Sequence, residues 1–229
     1  MSKKTSTKVE NRVEGVEQAL TKAEQFIEKY QKQIIRVIGG IVAIVLLYMG
    51  FQSFYVAGKS TEAAAQMFPA EQYFEVEDWE RALDGDGNFP GFDDIIRDYR
   101  FTPSANLSRY YAGICCLNLG EYQEAINYLS RFRTRDIILS SIALGGIGDA
   151  YAQLGDNTKA IDFYEKAASR RKNEFTSPLY LMRAGILLEN EGRFKEATEK
   201  YELIKTEYPS STEGRSIDRY IARVKAQMD

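Results

Sequence analysis

The chain contains no histidine. That absence removes the usual general base, the proton switch near neutrality and the first-choice zinc ligand. A nucleophile triad of the ordinary kind cannot be assembled without it. Cysteine is nearly missing as well: Cys115 and Cys116 are the only 2 thiols, and they are adjacent. Adjacent side chains on a helix diverge by about 100°, and there is no CxxC spacing. With Cys116 at a packing position, the pair reads as buried structural thiols. Basic clusters are also missing from the outer portion. Beyond Arg36 the chain holds 22 basic against 28 acidic residues, which argues against a nucleic-acid partner. No two carboxylates are placed as an acid–base pair. The expectation is a protein that is not an enzyme and carries no metal or cofactor.

What the chain does have is one long apolar run. Val37–Gly58, VIGGIVAIVLLYMGFQSFYVAG, carries no charge over 22 positions. As a helix it rises roughly 33 Å, the thickness of a bilayer's hydrocarbon core. Lys22, Lys29, Lys32 and Arg36 precede it, and only Lys59 follows closely. The positive-inside rule then keeps the N-terminus in the cytoplasm and sends the rest across. Residues up to Arg36 sum to 8 basic and 5 acidic, net +3; the remainder is net −6. Two rivals are a buried soluble helix and a cleaved signal peptide. The first should show a polar stripe, and this run offers only Gln52 and Ser53. The second should begin soon after a short basic leader, not at residue 37.

Before the run, Val9, Val13, Val16, Leu20, Ala23, Ile27 and Tyr30 recur at helical spacing, the pattern of an amphipathic leader. After it, Ala63, Ala64, Met67 and Phe68 resume a helical face. Pro69 should end or kink that helix near Phe68, with a second segment over Glu71–Leu83. LDGDGNFPG (Leu83–Gly91) is a loop by composition. Asp84, Asp86 and Asn88 open like a calcium loop, but Phe89 and Ile95 stand where Gly and Glu are needed. Phe92–Tyr99 makes a short helix.

Past Pro103 the chain repeats itself. YAGICCLNLGEYQEA (Tyr111–Ala125), GIGDAYAQLGDNTKA (Gly146–Ala160) and RAGILLENEGRFKEA (Arg183–Ala197) align at spacings of 35 and 37 residues. Gly113, Gly148 and Gly185 share one position, Gly120, Gly155 and Gly192 the turn, and Ala125, Ala160 and Ala197 the second helix. Each unit is a helix–turn–helix. The first Gly lets the helices approach, the turn Gly takes a left-handed conformation, and Ala lets the second helix nest. Ile217, Tyr220, Ile221 and Val224 form the stripe of a helix that caps the last unit.

This periodicity resembles the tetratricopeptide repeat (TPR) family over Ala105–Pro209. The expected fold is all-α: one N-terminal transmembrane helix followed by a TPR α-solenoid. The expected segments are a cytoplasmic leader with an amphipathic helix (1–36), the transmembrane helix (37–58) and a degenerate helical repeat or linker (59–103). Three repeats (104–139, 140–175, 176–210) and a C-terminal capping helix (211–229) follow. The whole layout is similar to the YfgM-like family of bacterial inner-membrane proteins. That resemblance implies an ancillary subunit of the SecYEG translocon, associated with a PpiD-like periplasmic folding factor and acting like a chaperone on exported or unfolded polypeptides. It also implies a single-pass inner-membrane protein with a periplasmic C-terminal domain. A structural scaffold for another envelope assembly or secretion machine is the alternative.

Counting from the aligned glycines, the first helix of each unit should line a protein-binding groove. Its residues are Leu107, Tyr110, Ile114, Leu117 and Asn118; Ile142, Asp149, Ala152 and Gln153; and Leu179, Met182, Ile186, Glu189 and Asn190. Ile114 and Ile186 stand where a carboxylate clamp would want polar donors. An apolar groove of this kind suits an amphipathic helix or an unfolded segment, unless residues 59–99 of the chain itself cover it.

Overall fold

The computed structural model describes residues 29–33 and 35–228. The amphipathic leader expected over 9–30 lies almost wholly outside them. The chain divides into two compact units, Met1–Val56 and Ala57–Asp229.

In the first unit, α1 (35–50) passes into a wider π-type turn at Phe51–Val56. The side chains of α1 point outward without a core; Leu47 is 75% exposed. One helix among the described residues, Lys29–Glu75, is long and apolar enough to cross a membrane.

The second unit opens with α2 (Ala57–Glu75), α3 (Trp79–Asp84) and α4 (Phe92–Asp98). Three antiparallel pairs follow: α5 (Pro103–Leu119) with α6 (Tyr122–Arg131), α7 (Ile137–Gln153) with α8 (Asn157–Ser169), and α9 (Thr176–Asn190) with α10 (Phe194–Glu207). A short 3-10 turn (Gly214–Ser216) leads into α11 (Ile217–Lys225). Among the described residues every regular helix stands without a sheet; the Gly85–Pro90 pairing is an isolated bridge.

Of the end or kink expected at Pro69, the structure overturns the end: Pro69 does not stop its helix. It lies inside α2, which runs on to Glu75, and the next helix starts at Trp79 rather than Glu71. Proline removes one backbone bond, yet Ala63, Met67 and Ala70 on the same helix are buried around it. Tertiary packing therefore holds the helix together where local preference would end it. The acidic loop after α3 is closed by Asp86, whose carboxylate accepts the amides of Asn88 and Phe89 and the hydroxyl of Tyr73, the last at 2.8 Å.

Caps define the repeats. Thr102 and Asp136 accept amide bonds from Ala105 and Leu139, and Asp156 caps α8 through Lys159. α5 ends at Gly120, where φ is +81°; Gly155 and Gly192 hold the same left-handed turn. Two buried clusters result. One centres on Phe92, Ile95, Cys115, Cys116 and Leu129, joining α2–α4 to the first pair. The other centres on Tyr164, Leu188, Tyr201, Ile204 and Val224, joining the later pairs to α11.

Candidate protein-binding groove

The first helix of each pair is positioned by the glycine on its inner face. A Cβ at Gly148 would lie 2.7 Å from the ring of Tyr164 on α8, and one at Gly113 would lie 2.5 Å from Leu129 on α6. Only hydrogen fits there, so each pair closes tightly and turns the opposite side of the first helix outward.

Of the expected groove residues on α5, Tyr110 is half-buried and packs its ring 5.4 Å from Phe132. Ile114 and Leu117 are half-buried, and Asn118 is exposed, its amide donating to the Ile114 carbonyl at 2.9 Å. On α7, Gln153 is exposed and Ile142 half-buried. On α9, Ile186 is 37% exposed and Asn190 exposed. Ile114, Ile142 and Ile186 belong to neither buried cluster.

Two expected groove residues sit elsewhere. Met182 is 8% exposed and part of the second cluster. Glu189 is 9% exposed and already engaged: Arg223 of α11 grips it with two bonds of 2.7 Å, and Tyr201 donates to it at 3.1 Å. Helical register gives the face of a residue but not what the next layer lays upon it.

The same motif recurs one repeat earlier. Asp149 accepts the Tyr164 hydroxyl at 2.8 Å and the Arg183 guanidinium from the neighbouring first helix. The Arg183 guanidinium lies 5.7 Å from the Tyr180 ring. Burial, and then the carboxylates of Asp149 and Glu189, push the Tyr164 and Tyr201 hydroxyls well above the ordinary tyrosine range. Both hydroxyls therefore stay donors. Arg183, Arg223 and the hydroxyl roles of Tyr164 and Tyr201 were not apparent from the sequence motifs. The legible signal was the separation of 34 residues from Asp149 to Arg183 and again from Glu189 to Arg223.

The segment before α5 packs on a different face of that helix. Ser108 donates to the Met67 sulfur at 3.2 Å, and the rings of Phe74 and Phe92 each lie 4.9 Å from Tyr111. These contacts use Ser108, Tyr111 and Cys115 and leave Ile114 outside the cluster. Cys115 and Cys116 are both buried and unpaired. Burial pushes each thiol up to about 12, so neither is a nucleophile in the folded protein.

The fold also gathers a basic cluster that composition had argued against in the outer portion. Arg133, Arg135 and Arg170 line one cavity of about 590 Å³ with Phe132, Leu144 and Phe163. The alternation of Arg131, Arg133 and Arg135 in sequence was its visible trace.

Residues 117–174 match the tetratricopeptide repeat family model. No curated protein matches the sequence. Among solved structures, a crystal structure of nearly identical TPR-like repeats, named for a kinesin light chain of Podospora anserina, superposes with a TM-score of 0.53. It is 14% identical and covers 72% of this chain and 85% of its own. At that identity the likeness is one of fold. The chain is a TPR-like helical solenoid, its repeats mark a protein–protein interaction module, and one N-terminal apolar helix is its candidate anchor.

Proposed function

We propose that the chain is a single-pass inner-membrane protein whose periplasmic repeats hold exported, unfolded polypeptides beside the SecYEG translocon, together with a PpiD-like folding factor. The observation that carries the reading is Ile114 and Ile186, one residue past Gly113 and Gly185 on the first and third of the first helices, apolar side chains that neither core uses. The matching position of α7 is Asp149, paired with Arg183, and Ile142 stands outside both cores two turns earlier on that helix. Tyr110 and Leu117 flank Ile114 half-buried, and Asn118, Gln153 and Asn190 supply exposed amides along the groove. A mixed face of this kind suits sequence-tolerant binding, with apolar contact for affinity and amides for the client backbone. The layout of leader, anchor and repeats, with its YfgM-like resemblance, supports the translocon as the place of action.

Full burial of a large apolar side chain is worth about 1.5–3 kcal/mol; with Ile186 37% exposed and Ile114 half-buried, covering what remains of the two contributes roughly 1–2 kcal/mol together before association costs. Ile114→Ser with Ile186→Ser should therefore weaken binding of reduced, carboxymethylated α-lactalbumin roughly tenfold, about 1.4 kcal/mol. The unfolding midpoint should move little, because both residues lie outside the cores. Unchanged affinity in a folded double variant would remove the groove from the proposal. Affinity purification from solubilised membranes tests the partners; recovery of folded, stoichiometric proteins without translocon components would favour a scaffold instead.

A further inference from the structure

The solenoid has two edges, and one of them is basic. At one edge each second helix hands over to the next first helix; at the other lie the tight turns within each pair. The first edge collects Arg100, Arg131, Arg133, Arg135, Arg170 and Arg171, all exposed. Among the described residues none of the six forms an ion pair with a carboxylate. The nearest acidic groups along these loops are otherwise placed or few. Asp136 caps α7 at 2.7 Å through the Leu139 amide, Glu207 pairs with Lys172 at 3.1 Å, and Glu174 stands exposed.

Contacts join these arginines into one surface. Asn106, on the first turn of α5, exchanges hydrogen bonds of 2.7 and 3.1 Å with the backbone of Arg133. Arg133, Arg135 and Arg170 share the cavity described above. Burial, and then the like charges of Arg131 and Arg100, depress the pKa of Arg109, which places those three groups within one field. The tight turn of the first pair, on the other edge, is acidic. Asp84 is raised by burial and then by Glu121, Asp93, Glu80 and Asp94, a mutual repulsion of carboxylates. The two edges are separated by the length of α5, roughly 25 Å for its turns.

Large apolar side chains stand among the arginines. Phe101 is 52% exposed, Ile137 44% and Phe175 66%, one on each successive handover loop or the first residue after it. The Arg100 guanidinium stacks 4.7 Å from the Phe101 ring. Finally, the unit's first helix starts at this same edge. Lys59 lies 5.4 Å from the ring of Tyr99, and the Tyr99 hydroxyl donates to Glu62 at 2.9 Å, so α2 begins beside Arg100. Ala57 is covalently joined to the last residue of the apolar unit.

We infer that this edge is a membrane-surface contact: its arginines meet anionic lipid headgroups while Phe101, Ile137 and Phe175 enter the interface. The inference rests on reading the apolar helix as an anchor. Basic side chains interleaved with aromatic and aliphatic ones are what an anionic interface selects. The attraction acts only within about 8–10 Å at ordinary ionic strength, and the repeat unit's own first helix begins at this edge. A protein partner for the same charges would need carboxylates aimed into the cavity.

The test uses the full chain in nanodiscs carrying nitroxide-labelled lipid headgroups, with a fluorophore on Ser130→Cys at the basic edge or on Thr158→Cys at the opposite edge. Cys115 and Cys116 stay unlabelled because they are buried. In discs with one-third phosphatidylglycerol, quenching at position 130 should exceed that at 158 at least twofold. The excess should vanish in pure phosphatidylcholine and in the Arg133→Glu, Arg135→Glu, Arg170→Glu triple variant. Equal quenching at both positions, or quenching indifferent to lipid charge and to the triple variant, overturns the inference while leaving the anchor. Extraction of the chain by alkaline carbonate removes the anchor and the inference together. Saturable binding of an Asp/Glu-rich peptide that abolishes the quenching would assign the arginines to a protein and also overturn it.

Discussion

Gly148→Ala tests the packing that orients the groove. In an unhindered helix interior this change stabilises by about 0.8–1.0 kcal/mol. Here the added methyl would sit 2.7 Å from two ring carbons of Tyr164 and 3.2 Å from the Ala160 carbonyl oxygen. The ring has little room to yield. It is 5% exposed, stacks 6.2 Å from Tyr180, and is tethered through its hydroxyl to Asp149 at 2.8 Å. Overpacking of this kind costs about 1–3 kcal/mol, so against that gain the net should be a loss of up to about 2 kcal/mol. For a unit of this size, that is a drop of up to about 4–8 °C in the unfolding midpoint. Near-UV circular dichroism of the full chain in detergent would read it through the buried tyrosines. Combining Gly148→Ala with Tyr164→Leu supplies the control, because the methyl then meets a smaller, untethered side chain. The double variant should lose at least 0.5 kcal/mol less than the sum of the singles, in the range found for side chains in direct contact. A raised midpoint for Gly148→Ala, or strict additivity, would show that the first and second helices do not close on this glycine.

Ala160→Leu, at a position with no exposure, should lower the midpoint by an amount equivalent to about 1–3 kcal/mol; an unchanged midpoint would mean that α8 does not nest there. Stability should fall as pH rises from about 9 towards 12. Burial raises the thiols of Cys115 and Cys116 and the hydroxyls of Tyr164, Tyr180 and Tyr201 above their ordinary values. The folded chain therefore holds more protons than the unfolded one over that window, and the stabilisation present below it is lost upward through it. Denaturant midpoints that stay flat from pH 8 to 11 would contradict this. In spheroplasts, an impermeant thiol reagent should label Ser210→Cys and not Ser2→Cys, with the buried native thiols silent; the reverse pattern would invert the topology.

The repeat was legible because it needs small residues at fixed phase. Gly113, Gly148 and Gly185 meet large side chains of the following helix, and Gly120, Gly155 and Gly192 turn with positive φ. Both are backbone requirements that a sequence displays directly. Pro69 misled, because a proline's local penalty is visible while the burial of Met67 and Ala70 around it is not. Register alone put Met182 and Glu189 on an open face, although the fold packs the first into the second cluster and lays Arg223 on the second. The arginine edge was hidden for a related reason. Arg100, Arg131–Arg135 and Arg170–Arg171 lie far apart in the chain, and only the return of each second helix to the start of its first gathers them.

If the outward face of the first helices receives a client chain at the membrane, that face should crosslink to it there. A photocrosslinking amino acid at Ile186, compared with one at Gln123 on the exposed side of α6, tests this most directly in intact cells. Position 186 should give adducts to nascent exported chains or translocon-associated proteins, lost when export is blocked, and position 123 none. Adducts of equal yield and identity at both positions, or none at 186 while the chain is anchored and folded, would contradict client binding on this face.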